Sequence, residues 1–213
     1  MSSFIKVTKK CAVCGKEQVV AVVKSTNAIG YMDLDTRPPQ DKRGVLPYEI
    51  QFCSNCGYAN EDLATLVCDD INGVISLPEY QNIFNNNAIN KTAKAFMLSA
   101  LISQKNNVLD RAGLLYLKAA WIFDDLNQEN ESQKARSKAI ECLSEYVEQS
   151  ENLDNAVMVV DLLRRIGNFK DAKETAMQLL DFGINSLLTK ILQYEVKLCD
   201  RKDAECHTVE ELD

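Results

Sequence analysis

The stretch Cys11-Ala-Val-Cys14-Gly15 returns as Cys53-Ser-Asn-Cys56-Gly57, and these two copies decide the fold of the first third of the chain. Each copy places two thiols on one tight turn. The glycine after the second cysteine permits a left-handed backbone that aims amide N–H groups at the sulfurs. Four thiolates from two such turns suit a tetrahedral Zn²⁺ site. We therefore predict that one metal ion is bound by Cys11, Cys14, Cys53 and Cys56.

The composition favours metal binding over disulfides. The chain has 213 residues, of which 46% are hydrophobic and 26% charged, as in an ordinary globular protein. No stretch approaches the ~20 apolar residues of a membrane span, and the first ten residues do not resemble a signal peptide. We therefore expect a cytoplasmic protein without membrane contact, in which thiols stay reduced and paired Cys-x-x-Cys motifs bind metal.

The spacing of the cysteines leaves the choice between zinc and iron open. The paired turns also resemble rubredoxin, in which four thiolates hold iron for electron transfer. Rubredoxins are small and acidic, whereas residues 1–60 here carry eight Lys/Arg against five Asp/Glu and lead into a helical region. We predict a structural Zn²⁺ ion, because four protein ligands leave no open position for a substrate. A rubredoxin-like iron electron carrier is the alternative.

Short strands are predicted beside both turns. Residues 18–23 are rich in valine and follow the first turn, and residues 48–52 alternate apolar and polar side chains before the second. Strand, turn and strand around one metal ion describe a zinc ribbon.

A loop is predicted between the two cysteine pairs, which are separated by 38 residues that include Pro38 and Pro39. Asp33, Asp35 and Arg37 carry its chemistry. We expect Arg37 to bridge to Asp33 or Asp35 and so tether the loop to the ribbon. The alternative is a partner-binding loop that holds a partner's charge or a second cation. No nucleophile–base pair accompanies these residues, so no acid–base site is predicted.

The pattern changes to helical spacing from about Asn60, a candidate N-cap. Beyond Pro78 the chain has no proline, and apolar residues recur one helical turn apart. Further helices are predicted to begin near Lys91 and at Ile184. The short polar breaks predict antiparallel neighbouring helices; they lie at 127–130, 149–152, 167–168 and 181–183.

One helical turn resembles the tetratricopeptide repeat. In residues 162–172, Gly167 matches the turn between paired helices and Ala172 the small residue at the helix crossing. Residues 109–148 have a similar rhythm, with a predicted longer turn that lacks glycine. We predict two degenerate repeats about forty residues apart. A non-repetitive helical bundle is the alternative.

The predicted fold class is α+β, predominantly α, with a small N-terminal zinc ribbon followed by an antiparallel, tetratricopeptide-like helical-repeat domain. The predicted units are a ribbon with its long loop (1–66), a linker and first helical segment (67–90), the helical domain (91–202) and a polar C-terminal tail (203–213).

The chain resembles an uncharacterised bacterial family with a Cys-x-x-Cys-Gly, an Asp-Leu-Asp-x-Arg-Pro element and a second Cys-x-x-Cys-Gly-Tyr. Ala12 and Ser54 stand where many members have proline. The resemblance implies zinc binding and a helical, tetratricopeptide-like region, without an established activity. The matching residues are Cys11, Cys14, Gly15, Ser25, Asn27, Asp33, Leu34, Asp35, Arg37, Pro38, Cys53, Cys56, Gly57 and Tyr58.

The C-terminal tail holds the only histidine, His207. Together with Cys199 and Cys206 it offers half of a second metal site. A polar tail of this kind is more often frayed, and we expect that here.

The predicted function is a non-enzymatic zinc-binding protein that acts as a protein-interaction or scaffold module, with a protein or peptide as partner. The alternative is a nucleic-acid-binding ribbon, based on Lys6, Lys9, Lys10, Arg37, Lys42 and Arg43. It is the weaker one, because residues 61–213 carry a net charge of -10 (16 Lys/Arg minus 26 Asp/Glu). The sequence does not fix the oligomeric state.

Overall fold

A computed structural model describes residues 2–182 and 185–212 of the chain. The N-terminal part consists of two antiparallel hairpins with a cysteine turn at each tip. Strand β1 (Ser3–Lys10) pairs with β2 (Glu17–Ser25), and the two-residue strand β3 (Gln51–Phe52) pairs with β4 (Ala59–Asn60). The predicted strand at 18–23 is confirmed. The one at 48–52 is shorter than expected, because the segment with Pro47 forms a 3-10 turn (Leu46–Tyr48).

The prediction of a helix that begins at Asn60 is wrong. Asn60 ends β4, and its side-chain Nδ2 donates to the carbonyls of Asp62, at 2.9 Å, and Thr65, at 3.3 Å. The amide N–H of Leu63 donates to the side chain of Gln51 on the paired strand at 3.0 Å. Asparagine favours loops for the same reason that it favours N-caps, since its side chain bonds nearby backbone groups. At Asn60 the side chain stabilises a loop and not a helix start.

Most of the remaining described residues form helices. The predicted loop at 30–44 contains one short helix, α1 (Gln40–Arg43). Ile184, the predicted start of the last helix, lies outside the described residues. Among the described residues, no helix is both long and apolar enough to cross a membrane. The other helices are α2 (Ile71–Ile75), α3 (Pro78–Asn85), α4 (Lys91–Lys105), α5 (Leu109–Asp125), α6 (Glu129–Ser150), α7 (Leu153–Arg165), α8 (Phe169–Leu180) and α9 (Ser186–Asp200).

Three turns between helices share one geometry. Asn107, Asn127 and Gly167 adopt φ values of 57°, 54° and 80°. In each turn the N–H of the next residue donates 2.9 Å back to a carbonyl of the preceding helix, which is a Schellman-type C-cap. The longer turn predicted for 109–148 is therefore wrong, because Asn127 takes the left-handed position that Gly167 takes in the later pair. Whether these hairpins are tetratricopeptide repeats stays a prediction.

The core runs without interruption from the ribbon into the helices. Tyr58 and Leu63 from the N-terminal part and Phe96 from α4 are each at most 1% exposed and belong to one apolar cluster. The aromatic residues Trp121 and Phe123 are buried in the same cluster. A second cluster joins α7, α8 and α9, where Ala172 and Ala176 are fully buried and Leu34 from the long loop packs against them.

A buried charge cluster ties α7 to α9 and to the C-terminal tail. The Arg164 side chain is completely buried and donates 2.6 Å bonds to Asp161 and Glu195. Its Nη1 donates to the carbonyls of Asp203 and Glu205 at 2.9 and 2.8 Å. Two carboxylates face one guanidinium in a dry site. Burial and the nearby Asp161 carboxylate raise the pKa of Glu195 to about 8.

This cluster predicts that stability falls with rising pH. An unfolded glutamate ionises near its ordinary pKa of 4.5, whereas folded Glu195 keeps its proton until about pH 8. Folded Glu195 holds its proton in this window and the unfolded residue does not, so the contribution of Glu195 to the free energy of unfolding should be larger at pH 5 than at pH 8. The difference should be on the order of a few kcal/mol. In Glu195→Gln most of this slope should vanish in urea unfolding series. The exposed Glu174→Gln should keep it, and an unchanged slope in Glu195→Gln would contradict the assignment.

Candidate metal centre

The two cysteine turns have the same backbone geometry. The N–H of Gly15 donates to the carbonyl of Cys11, and the N–H of Gly57 to that of Cys53, both at 2.9 Å. Each turn is closed by a bond from its first cysteine to the residue after the glycine, at 2.9 Å in the first turn and 2.8 Å in the second. Both glycines have positive φ, 74° and 81°. The repeated Cys-x-x-Cys-Gly motif thus produces two equivalent turns.

The four predicted sulfurs meet at one point. The Sγ atoms of Cys11 and Cys56 are 3.7 Å apart, those of Cys14 and Cys53 are 3.6 Å apart, and all four lie within 4.8 Å of one another. Four sulfurs at about 2.3 Å from a central ion have tetrahedral edges of about 3.8 Å. The observed separations fit such an ion and are far from the ~2.05 Å of a disulfide bond.

The thiols differ in how readily they ionise without a bound cation. Burial is the largest influence on the pKa of Cys11 and of Cys56, and it raises both. At Cys14 burial opposes ionisation, but the backbone N–H of Lys16 and the side chain of Asn55 outweigh it and lower the pKa to about 6. Four adjacent thiolates repel one another in a partly buried site. A bound cation would offset that repulsion and displace the remaining thiol protons.

The second turn is packed against the helices. Gly57 faces the ring of Phe84 on α3 so closely that an added Cβ would lie 2.8 Å from a ring carbon. The Tyr80 hydroxyl, also on α3, donates to the carbonyl of Gly57 at 3.0 Å. Cys11 and Cys53 are buried, whereas Cys14 is exposed. The cluster therefore lies at the junction of ribbon and helices, with one edge open to solvent.

The Asp33, Asp35 and Arg37 side chains are buried, at 2%, 1% and 5% exposure, and bond within the chain. The expected side-chain bridge from Arg37 to Asp33 or Asp35 is wrong, because Arg37 donates to both oxygens of Asp125 at the end of α5, at 2.7 and 2.6 Å. The loop is tethered within the chain, as expected, but the tether joins the loop to the helices and not to the ribbon. Charge-assisted bonds to a distant helix replaced the local one.

The two aspartates of this loop also bond other groups. Asp35 accepts a bond from the indole N–H of Trp121 on α5 at 2.7 Å, and Asp33 one from Arg43 at 2.6 Å. Burial, with the nearby Asp161 carboxylate, raises the pKa of Asp35 to about 6. The sequence interpretation missed Trp121 and Asp125 as partners. No local signal could have identified them, since they lie more than eighty positions further along the chain.

The C-terminal tail differs from the frayed segment that was expected. The Leu34 N–H donates to the carbonyl of His207, and the Val209 N–H to that of Met32, so the tail pairs with the long loop. His207 bonds Glu211 at 2.7 Å, and Cys199 is buried in the helical core. Within residues 2–182 and 185–212, the only cluster of potential metal ligands is the four-cysteine group. The suggested second metal site therefore does not form there.

Two cysteine-tipped hairpins joined to helical hairpins define a protein with a ribbon, a helical region and a candidate four-sulfur metal centre. The chain belongs to the family described as "Uncharacterized protein conserved in bacteria (DUF2225)", whose family model matches residues 4–197. Neither the curated proteins nor the solved structures contain a match to the chain. The family match spans both the ribbon and the helices, and the resemblance found in the sequence is confirmed.

Removing one thiol should remove the metal. In Cys53→Ser, the bound-metal content measured by mass spectrometry should fall from about one ion per chain to near zero, because a tetrahedral site with three thiolates binds far more weakly. The midpoint temperature of thermal unfolding should also fall strongly. Cys206→Ser, at an exposed position outside the cluster, should keep both metal and stability. Equal metal content in the two variants would exclude the site.

The two glycines should differ in their tolerance of alanine. Gly15→Ala meets only the strain of a positive φ, since its Cβ would lie 3.6 Å from Lys10. This should cost about 1–2 kcal/mol. Gly57→Ala adds the 2.8 Å clash with Phe84 and should cost roughly 1–3 kcal/mol more. Denaturant unfolding of the metal-loaded variants measures both values, and a Gly15 cost equal to or above the Gly57 cost would contradict the packing described here.

Proposed function

We propose that the protein is a non-enzymatic zinc-binding protein that acts as an interaction module, with its helical part binding a protein or peptide. The observation that carries this proposal is the closed four-sulfur cluster at the junction of ribbon and helices. An ion held by four protein ligands has no open position for water or substrate, and such sites are structural. The metal would then fix the ribbon against the helices.

Zinc is the metal that this proposal assigns. Tetrahedral thiolate sites suit both zinc and iron, so geometry alone does not separate them. The ribbon carries exposed lysines, a long loop with buried charged side chains and a shared core with the helices, and this setting favours a structural ion over a redox centre. Red colour and visible absorbance of the purified protein would instead identify iron.

The helical part supplies the support for an interaction role. Consecutive helices from α4 to α9 are joined by short turns and pack on their neighbours. Stacked helical hairpins present extended surfaces that hold peptides or partner helices. Under this proposal the ribbon is a rigid second surface beside them.

Nucleic acid is the second candidate partner, and the internal ion pairs count against it. Of the cations that suggested it, Lys9 pairs with Asp62 at 2.9 Å, and the side chains of Arg37 and Arg43 are engaged with Asp125 and Asp33. Phosphate contacts by these groups would require breaking those pairs. Lys6 and Lys10 on the hairpin stay exposed and keep the candidate testable.

The proposal predicts protein partners that depend on the metal centre. In-cell crosslinking followed by affinity purification should recover the same proteins in repeated experiments with the wild type, and should lose most of them with Cys53→Ser. The Cys206→Ser protein should recover the wild-type set.

Binding to mixed DNA and RNA, measured over a salt series, should be weak. Recovery of no reproducible protein, together with tight nucleic-acid binding that declines steeply with salt, would replace the proposal by the nucleic-acid alternative.

A further inference from the structure

The last helical hairpin leaves an apolar groove open to solvent. Met177 and Leu180 on α8 and Val196 on α9 line a cavity of about 460 Å³ together with Lys173, Gln193 and Lys197. Met177 is 54% exposed. Each earlier hairpin in the stack packs against the next one along the chain, whereas in the described residues only the tail with its 3-10 turn (Val209–Glu211) follows α9, and no tail residue lines this groove. An uncovered apolar face on a terminal repeat is a place where a further helix fits.

A basic stripe runs along the edge of this groove. Lys190 and Lys197 lie seven residues apart on α9, and Arg201 follows at its C-terminus, so the three side chains share one face. A second cavity, of about 260 Å³, is lined by these three cations together with Tyr194, Glu211 and Leu212, and it shares Gln193 and Lys197 with the groove. Within the part of the chain that the structure describes, no carboxylate oxygen lies within 4.0 Å of their nitrogens. The three cations therefore form no ion pair there, and the Glu211 carboxylate that lines the same cavity bonds Tyr194 and His207 instead.

This positive surface stands out from its surroundings. Residues 61–213 carry 16 Lys/Arg against 26 Asp/Glu, a net charge of -10. On α6, by contrast, Lys134 pairs with Glu131 and Lys138 with Glu141. Of the two groove-lining lysines, Lys173 bonds Asp200, whereas Lys197 is free of such a partner among the described residues. Charge complementarity therefore favours an acidic ligand at this one place.

We propose that the groove between α8 and α9 docks an acidic amphipathic helix of a partner protein. The partner's apolar side, with residues spaced one helical turn apart, would fill the cavity of Met177, Leu180 and Val196. Its carboxylates would pair with Lys190, Lys197 and Arg201. The inference rests on the proposed interaction function and assigns to it one surface and one partner chemistry. A polyphosphate chain fits less well, because it has no apolar side to fill the cavity of Met177, Leu180 and Val196.

The test uses the full metal-loaded chain and a labelled helical peptide about 18 residues long, with leucine at i, i+3, i+4 and i+7 positions and glutamate at its flanks. Fluorescence anisotropy should show binding that weakens with salt. Lys190→Glu combined with Lys197→Glu should reduce affinity about tenfold. Met177→Gln, at an exposed position, should reduce it severalfold. The matched control is Lys134→Glu combined with Lys138→Glu on α6, which should leave binding unchanged.

Three results would overturn the docking site. They are no binding of the acidic peptide, equal binding by the groove variants, and tighter binding of duplex DNA or anionic phosphatidylserine vesicles through the same lysines. A peptide with lysine in place of glutamate serves as the negative probe. If the Lys190→Glu, Lys197→Glu protein still recovers all partners captured by the wild type in cells, the groove is excluded while the interaction function stands. If the wild type recovers no partner in cells, both the groove and the interaction function are excluded.

Discussion

The convergence of four sulfurs at one point is the constraint on which the N-terminal part depends. Two hairpins, one of them with strands of only two residues, are too small to be stable alone. A structural zinc ion contributes about 10–16 kcal/mol of apparent binding free energy in small modules, which is comparable to the stability of a whole domain. The cluster therefore determines how the first hairpin, the long loop and the second hairpin are arranged.

The long loop is the second connection between ribbon and helices. Its Asp33, Asp35 and Arg37 side chains are buried, and each bonds a group that is distant in the sequence or part of another element. Asp35 binds Trp121, Arg37 binds Asp125, and the backbone around Leu34 pairs with the C-terminal tail. Breaking any of these would leave a buried charge or amide without a partner, which is costly. The loop thus connects the ribbon to the helices and the tail through these three buried side chains and its backbone.

The described part of the helical region has a buried polar cluster at one place and an exposed apolar groove at another. Arg164 links α7, α9 and the tail inside the core, whereas Met177 and Val196 leave apolar surface outside it. The first arrangement makes stability depend on pH through Glu195. The second leaves an apolar groove open to solvent. The buried charges lie between α7 and α9, whereas the groove lies between α8 and α9.

The sequence by itself determined the cysteine turns, the valine-rich strand, the helical part and the turn at Gly167, because each depends on neighbouring residues. Left-handed turns, apolar periodicity and ligand spacing are local properties. Prediction from the sequence failed where one residue type favours two different local structures, as at Asn60 and Asn127. Only the tertiary structure decided the partners of Arg37, the docked tail and the groove at α9. These depend on which distant side chains folding brings together, and a single sequence carries no local signal for that.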